Sequence, residues 1–172
     1  MTLLRQFSIS SALLRAAKIL SEPPAKSHIV RAQPEGDLVV RFALPLELCE
    51  PQNRRRKAPG WVMANKRDGI LQLLAVQLRH QLPEKPLSGR PIVQCIRFSS
   101  RAPDAFADSF KLAIDCLCPS KIRKTRGVPK RIPGIGLIAD DNPEACDVRQ
   151  RWEQAPSGQG LALLEVWTGS RV

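Results

Sequence analysis

Residues 91–118 contain two consecutive segments of opposite character, PIVQCIRFS at 91–99 and PDAFADSFKLAIDCLC at 103–118. The first is short, apolar and rich in β-branched side chains, which predicts a strand. The second has apolar side chains every three or four residues and no proline after its first position, which predicts an amphipathic helix. Pro103 suits the first turn of that helix, and Pro119 ends it. The sequence thus predicts a strand followed by a helix.

The residues upstream repeat the same alternation. Residues 37–44 (DLVVRFAL) predict a strand, residues 45–60 predict a loop, and residues 61–82, which lack proline, predict a helix that ends at Pro83. The order strand, helix, strand, helix over this part of the chain predicts an α+β domain in which two main helices pack on a mixed β-sheet.

Downstream of Cys118, the sequence changes to short segments rich in turn-forming residues. Residues 119–134 contain several prolines and glycines among basic side chains, which predicts a basic loop. A short apolar stretch follows at 135–138. Residues 146–154 and 161–168 alternate between apolar and polar side chains and predict a terminal hairpin around the turn at 157–160.

Length and composition limit the class of protein. The chain has 172 residues, of which 43% are hydrophobic, so it is expected to form one small domain and not a disordered chain. Its apolar runs fall far short of the ~18 residues that cross a bilayer, so a membrane partner is not expected. Five cysteines, an odd number without a regular framework, indicate a reducing compartment such as the cytoplasm.

The first 34 residues are interpreted as an N-terminal extension with a proline-rich linker, and residues 35–172 as the folded domain. Residues 1–21 contain three basic side chains, no acidic one and an apolar helical stripe. A helical or disordered extension is the preferred interpretation of this segment, and an organellar transit peptide is the alternative.

The charge of the chain indicates a polyanionic partner. There are 27 Lys and Arg residues against 16 Asp and Glu residues, which gives a formal net charge of +11. Nucleic acid is the first expectation for such a protein, and an acidic membrane surface is the second. The excess is concentrated in two segments, whose candidate DNA-binding residues are Arg54, Arg55, Arg56, Lys57, Lys121, Arg123, Lys124, Arg126, Lys130 and Arg131.

A stripe of charged side chains is predicted along the helix at 103–118. Asp104, Asp108, Lys111 and Asp115 lie 0, 4, 7 and 11 positions along it, so helical geometry places them on one face. An ordinary solvated face explains such a stripe equally well.

A second acidic element, Asp140-Asp141, follows the apolar stretch. Carboxylates converging from a helix and a strand end would form an oxygen-rich site that suits Mg²⁺, with Mn²⁺ as an alternative. The alternative to a metal site is an ordinary turn, because the sequence continues as Asn142-Pro143 and all of these residues favour turns. The nearby pair Gly134 and Gly136 lacks a third glycine and a following helix, so no nucleotide or other small-molecule cofactor is expected there.

In these elements the chain resembles the RusA-like Holliday junction resolvases, which are dimeric Mg²⁺-dependent endonucleases of phage and prophage origin. The matching segments are APDAF at 102–106, SFKLAIDCL at 109–117, GLIADD at 136–141 and GLALLEV at 160–166. The resemblance covers about residues 90–168. It implies a cytoplasmic, bacterial or phage-encoded homodimer that acts on branched DNA in recombination and repair.

The resemblance also implies roles for individual residues. Asp104 matches the second acid of the family's D-x-D motif, Lys111 matches its helix lysine, and Asp140 and Asp141 match its D-D element, with Asp141 as the more essential carboxylate. The implied reaction is phosphodiester hydrolysis by a metal-activated water, with the carboxylates as metal ligands and the lysine beside the phosphate.

The sequence departs from the family where the first acid of D-x-D is replaced by Ala102 and the following asparagine by Ala105. Two hypotheses follow. Asp108, one turn along the same stripe, takes over as catalytic residue and metal ligand together with Asp104, or the site is weakened and the protein binds DNA without cutting it well. A third hypothesis from outside the family is a basic RNA-binding protein, although the low aromatic content, 5%, offers few stacking platforms.

Overall fold

The computed structural model describes residues 34, 36–49, 59–102, 110–125 and 127–169. The elements in chain order are β1 (Leu38–Pro45), a 3₁₀ turn (Leu46–Leu48), α1 (Gly60–Gln77), β2 (Ile92–Ser99), α2 (Lys111–Leu117), β3 (Pro119–Thr125), β4 (Val128–Ile135), β5 (Asp147–Gln154) and β6 (Leu161–Trp167). The predicted class, a small α+β domain with a mixed sheet and two main helices, is confirmed. The predicted N-terminal extension lies outside the described residues except for Pro34. Within the described ranges, no helix combines the length and the apolar character needed to cross a membrane.

The main sheet has four strands in the order β1-β6-β2-β5. The strand β6 pairs antiparallel with β1 on one side and with β2 on the other, whereas β5 pairs parallel with β2 at the edge. All seven residues of β6 (LALLEVW) are buried. A nearly continuous apolar run is typical of a strand that is covered on both faces and flanked on both edges.

The hydrophobic core lies between the sheet and the two helices. Side chains from alternate positions of the strands, such as Phe42 on β1 and Leu164 on β6, form one cluster with Ile70 and Leu74 of α1 and Leu117 of α2. All five of these residues have a relative exposure of 0%. The helices are therefore held by apolar burial, which is the dominant favourable contribution to folding.

The alternate positions of the same strands form a second, partly polar layer. Ala43, Leu163 and Ile96 lie in one row across β1, β6 and β2 and belong to a small apolar cluster. In the next row, the buried carboxylate of Glu165 accepts hydrogen bonds from Arg41 Nε at 2.9 Å and from Gln94 Nε2 at 3.4 Å. Glu165 is thus a buried charge with both oxygens partnered, which burial requires.

The predicted terminal hairpin is wrong. Both of its strands exist, as β5 and β6, but β2 lies between them in the sheet. Because β6 is apolar except for Glu165, it takes a central position, whereas β5 (DVRQRWEQ) has exposed residues that suit an edge.

The predicted loop at 119–134 is also wrong, since β3 and β4 form a two-stranded antiparallel ribbon over these residues. Thr125 pairs with Val128, and Gly127 in the turn has a φ of 81°. A two-residue turn with glycine in the left-handed region is a strong hairpin signal. Three prolines suggested a loop, but a ribbon with two strands has only edge strands, and edges tolerate a residue such as Pro129 that has no N–H.

Two helix boundaries differ from those predicted. The helix α1 ends at Gln77, five residues before the predicted end at 82, with Leu78 as its C-cap. The helix α2 begins at Lys111 instead of 103, with Phe110 as its N-cap, and residues 103–109 lie outside the described ranges.

Candidate metal and phosphate site

The end of α2 is held by the chain that returns from β4. The amides of Leu137 and Ile138 both donate to the carbonyl oxygen of Leu117, at 2.8 and 3.2 Å, and the amide of Gly136 donates to that of Cys118 at 3.1 Å. These bonds satisfy carbonyl groups that a helix end leaves without partners inside the helix. They also place Asp140 and Asp141, which come shortly after Ile138, beside α2.

The two glycines before this segment have structural roles. A Cβ on Gly134 would overlap the carbonyl oxygen of Cys118, so only glycine allows β4 to approach the end of α2 this closely. Gly136 has a φ of 72°, in the left-handed region that favours glycine. The glycine pair therefore fits the packing of β4 against the end of α2.

An ion cluster links α2 to its two neighbours. The ammonium group of Lys111 contacts the carboxylate of Asp141, and its Nζ lies 3.0 Å from Asp115 Oδ1. Arg67 of α1 approaches the other oxygen of Asp115, with Nη2 at 3.6 Å. The Asp141 and Asp115 side chains are only 14% and 21% exposed, so these charges are weakly screened compared with those of surface pairs. Two cations balance two carboxylates in this cluster, and Asp140 beside it adds one negative charge.

Asp140 also organises the turn that follows. Its Oδ1 accepts a hydrogen bond from the amide of Asp141 at 2.9 Å, and its Oδ2 accepts one from Asn142 Nδ2 at 2.9 Å. Asn142 Oδ1 in turn accepts from the amides of Glu144 and Ala145. The turn-forming alternative considered for this segment is thus present. It does not exclude metal binding, because each carboxylate oxygen has a further lone pair.

Cys118, Asp140 and Asp141 each offer one ligand atom, and these three atoms lie within 4.8 Å of one another. Burial raises the pKa of the Cys118 thiol to about 11; the carboxylates of Asp115 and Asp140 act in the same direction, against Lys121 and Lys111. The thiol is therefore protonated at neutral pH, and it donates to the carbonyl oxygen of Ile114 at 3.6 Å.

Two of the three donors are carboxylate oxygens, the ligands that Mg²⁺ and Mn²⁺ prefer. The third is a thiol, which binds a metal as the thiolate. All five cysteines are buried and none forms a disulfide, as the composition predicts. The pKa of Cys146 is also raised, by burial first and by the carboxylates of Asp140 and Asp147 next.

Of the predicted metal and catalytic residues, the structure brings together Lys111, Asp140 and Asp141. Asp104 and Asp108 lie outside the described residues, and so does the predicted DNA-binding cluster at 54–57. Ala102, which stands where the motif has an acid, is exposed.

Three members of the cluster were not assigned a role from sequence. Asp115 lies on the predicted charged stripe, and its four-residue spacing from Lys111 is the signal that would have identified the pair. Cys118 lies two residues from Cys116, a spacing that does not match the C-x₂₋₄-C pairs of zinc sites, so the sequence gives it no metal role. Nothing in the sequence points to Arg67, because its contact with Asp115 depends on how α1 crosses α2.

The predicted basic residues downstream of α2 lie on the ribbon. Five of them are exposed side chains of β3 and β4: Lys121, Arg123, Lys124, Lys130 and Arg131. Arg126 lies outside the described residues. Because β3 begins two residues after α2 ends, the ion cluster lies at the base of a strongly basic projection.

No family model, curated protein or solved structure matches this chain. The similarity to RusA-like resolvases therefore stays a prediction from the sequence motifs.

Proposed function

We propose that this protein is a metal-dependent endonuclease that binds branched DNA and hydrolyses phosphodiester bonds at four-way junctions. One observation carries the proposal: the Lys111, Asp140 and Asp141 side chains converge at the base of an exposed basic ribbon. Carboxylates that hold a metal next to cations that hold phosphates are the combination that metal-assisted cleavage of a nucleic acid needs.

In this proposal Asp141 and Asp140 hold Mg²⁺ or Mn²⁺, together with acidic side chains supplied from residues 104 and 108. The metal supplies an activated water and stabilises the charge that develops on the phosphate. With a metal held by Asp141, Lys111 would be free to face the phosphate. Asp115 keeps the ammonium group in place, since its Oδ1 is 3.0 Å from Lys111 Nζ. Arg67 holds the second oxygen of Asp115 and so fixes the orientation of that carboxylate.

The active form in this proposal is a homodimer. A four-way junction has approximate two-fold symmetry, and a dimer with the same symmetry presents one site to each of two equivalent strands.

The test is cleavage of a synthetic four-way junction and of a linear duplex of the same sequence, with Mg²⁺, with Mn²⁺ and with EDTA. We expect junction cleavage that requires metal. Asp141→Asn is expected to reduce its rate by about a hundredfold or more, because the variant weakens both the metal site and the charge balance. Asp68→Asn, which alters an exposed carboxylate on α1, is the matched control and should leave the rate unchanged. Equal rates for Asp141→Asn and the unaltered protein would refute the proposal.

A second candidate function, a DNA-binding protein with a weakened catalytic site, is favoured by Ala102 and by the ion pair that engages Asp141 with Lys111. It predicts junction binding without cleavage in any divalent metal. Asp108→Asn separates the two candidates, because loss of cleavage in that variant means that Asp108 has replaced the missing acid. Preferential binding of an RNA hairpin over the junction would instead support the RNA-binding hypothesis.

A further inference from the structure

The ribbon formed by β3 and β4 exposes apolar as well as basic side chains. Ile122 is 76% exposed and Val128 is 67% exposed, which are the highest values among the large hydrophobic residues that the structure describes. Single exposed apolar residues are common. Two of them on one short ribbon, each next to basic residues, require a more specific explanation.

The register of the ribbon places these two residues on opposite faces. Residues that pair directly across an antiparallel ribbon share a face, and neighbours along a strand alternate between faces. Ile122 pairs with Arg131 on one face, while Arg123 pairs with Lys130 on the other, the face that also carries Val128. Each face therefore combines one strongly exposed apolar side chain with basic side chains. A ribbon lying flat against the domain would bury one of its faces, so this ribbon projects into solvent.

The charge of this part of the chain has one sign. Between Asp115 and Asp140 the sequence contains no acidic residue. The described basic side chains on both faces of the ribbon therefore attract an anionic partner from either side.

Two anionic surfaces need to be distinguished. A membrane surface binds a segment whose apolar side chains all lie on one side, with the basic ones around or opposite them. Ile122 and Val128 point in opposite directions, which does not suit a flat surface. The major groove of duplex DNA is wide enough for a two-stranded ribbon, and it has phosphates on both walls.

We infer that the β3–β4 ribbon enters the major groove of a duplex arm of the DNA substrate. The basic side chains on its two faces contact the phosphates of the two groove walls, and Ile122 and Val128 each contact the sugar and base edges, including thymine methyl groups, on their own side of the groove. This inference rests on the proposed function for DNA as the ligand, and it adds the element that enters the groove and the apolar contacts. A ribbon bound in this way would bring the duplex near the ion cluster at its base.

The test compares two sets of variants of the full chain in binding to a fluorescein-labelled duplex and to a labelled four-way junction over a range of salt concentrations. Phosphate contacts determine the slope of log K against log salt, and apolar contacts do not. The double variant Arg123→Ala/Lys130→Ala is expected to reduce the slope by about 1.8, because each phosphate contact contributes about 0.9. The double variant Ile122→Ala/Val128→Ala is expected to weaken binding about tenfold at every salt concentration and to leave the slope unchanged.

Matched controls are Val76→Ala and Arg79→Ala. They alter an exposed apolar residue in the last turn of α1 and an exposed basic residue just after it. Neither should change affinity or slope. Guanine N7 faces the major groove, so protection of N7 from methylation provides a second readout. We expect protection by the unaltered protein and its loss with the Ile122→Ala/Val128→Ala variant.

The outcomes separate this inference from the proposed nuclease activity. Ribbon-dependent binding with N7 protection but no cleavage in any metal would support the inference and refute the nuclease. Cleavage that is insensitive to the Ile122 and Val128 changes, without N7 protection, would refute the inference alone. Binding to anionic vesicles in preference to duplex DNA, or no binding to DNA, would overturn the inference.

Discussion

Two strands of the same length, seven residues, differ in burial: β6 (LALLEVW) is buried and β3 (PSKIRKT) is exposed. The first is hydrogen-bonded on both edges and buried along its whole length, whereas the second has a single partner and exposes every side chain that is described for it. The comparison shows that this chain divides its sequence between a sheet that stabilises the domain and a ribbon that is available for binding. A change in β6 should therefore affect stability, and a change in β3 should affect affinity.

The largest expected effect is that of Leu164→Ala in the centre of β6. Leu164 is fully buried in the main core cluster, so the variant removes apolar contacts and leaves a cavity. We expect a loss of about 2–5 kcal/mol in the free energy of unfolding. Urea denaturation followed by circular dichroism measures it.

The matched control on the ribbon is Ile122→Ala, which should change stability by no more than about 0.5 kcal/mol because the side chain is largely in solvent already. A loss of stability at Ile122 as large as that at Leu164 would mean that the ribbon packs on the domain and is not free for binding.

A smaller effect is expected where the ribbon meets the domain. In Gly134→Ala, the added methyl group would meet the carbonyl oxygen of Cys118, so the backbone must shift at a cost of about 1–3 kcal/mol. Thermal denaturation measures the loss of stability. Gly60→Ala, at the start of α1 with no atoms nearby, is the control and should not destabilise the protein. Equal melting temperatures for both variants would show that Gly134 does not limit the approach of β4 to Cys118.

The predicted effect that is smallest near neutral pH is a loss of stability at alkaline pH. The pKa of Cys118 is raised from an ordinary 9.0 to about 11 in the folded protein, so between these values the unfolded chain holds fewer protons than the folded one. Stability is then complete below about pH 9 and falls as the pH rises, by up to about 1.4 kcal/mol per pH unit for this one group. The raised pKa of Cys146 acts in the same direction.

Urea denaturation at several pH values from 8 to 11 tests this expectation. The unaltered protein should lose stability more steeply than the Cys118→Ala variant over that range. Parallel curves for the two proteins would show that the thiol of Cys118 ionises as readily in the folded state as in the unfolded state.

Local sequence predicted the strands well where burial determines them. Residues 37–44 and 91–99 were identified within one residue of β1 and β2, because apolar and β-branched side chains dominate both. The order of strands in the sheet was not predictable in the same way. It depends on which strand can be buried on both faces, and that comparison requires the whole chain. The ribbon was not predictable from composition, because the three prolines of residues 119–134 indicate a loop and only Gly127 signals the turn.

The candidate site was predictable in its residue types but not in its contacts. The carboxylates and the lysine follow from spacing and from the motifs. The meeting of Lys111 with Asp141 depends on the return of the chain after β4, which is held by hydrogen bonds to the carbonyl of Leu117 that no local pattern indicates. The contact of Arg67 with Asp115 likewise depends on the packing of two helices.

The position of β6 between β1 and β2 has a consequence for the order of folding during synthesis. The strands β1 and β2 do not pair with each other; both are joined through β6, which the ribosome makes after the other described elements. Until β6 emerges, the nascent chain can form its helices, its local ribbon and the β2–β5 pair. It cannot yet join β1 to them, since pairing of β1 with β6 spans most of the sequence and requires costly loop closure. The ribbon, whose strands are neighbours in sequence, is thus expected to form early, and the complete sheet last.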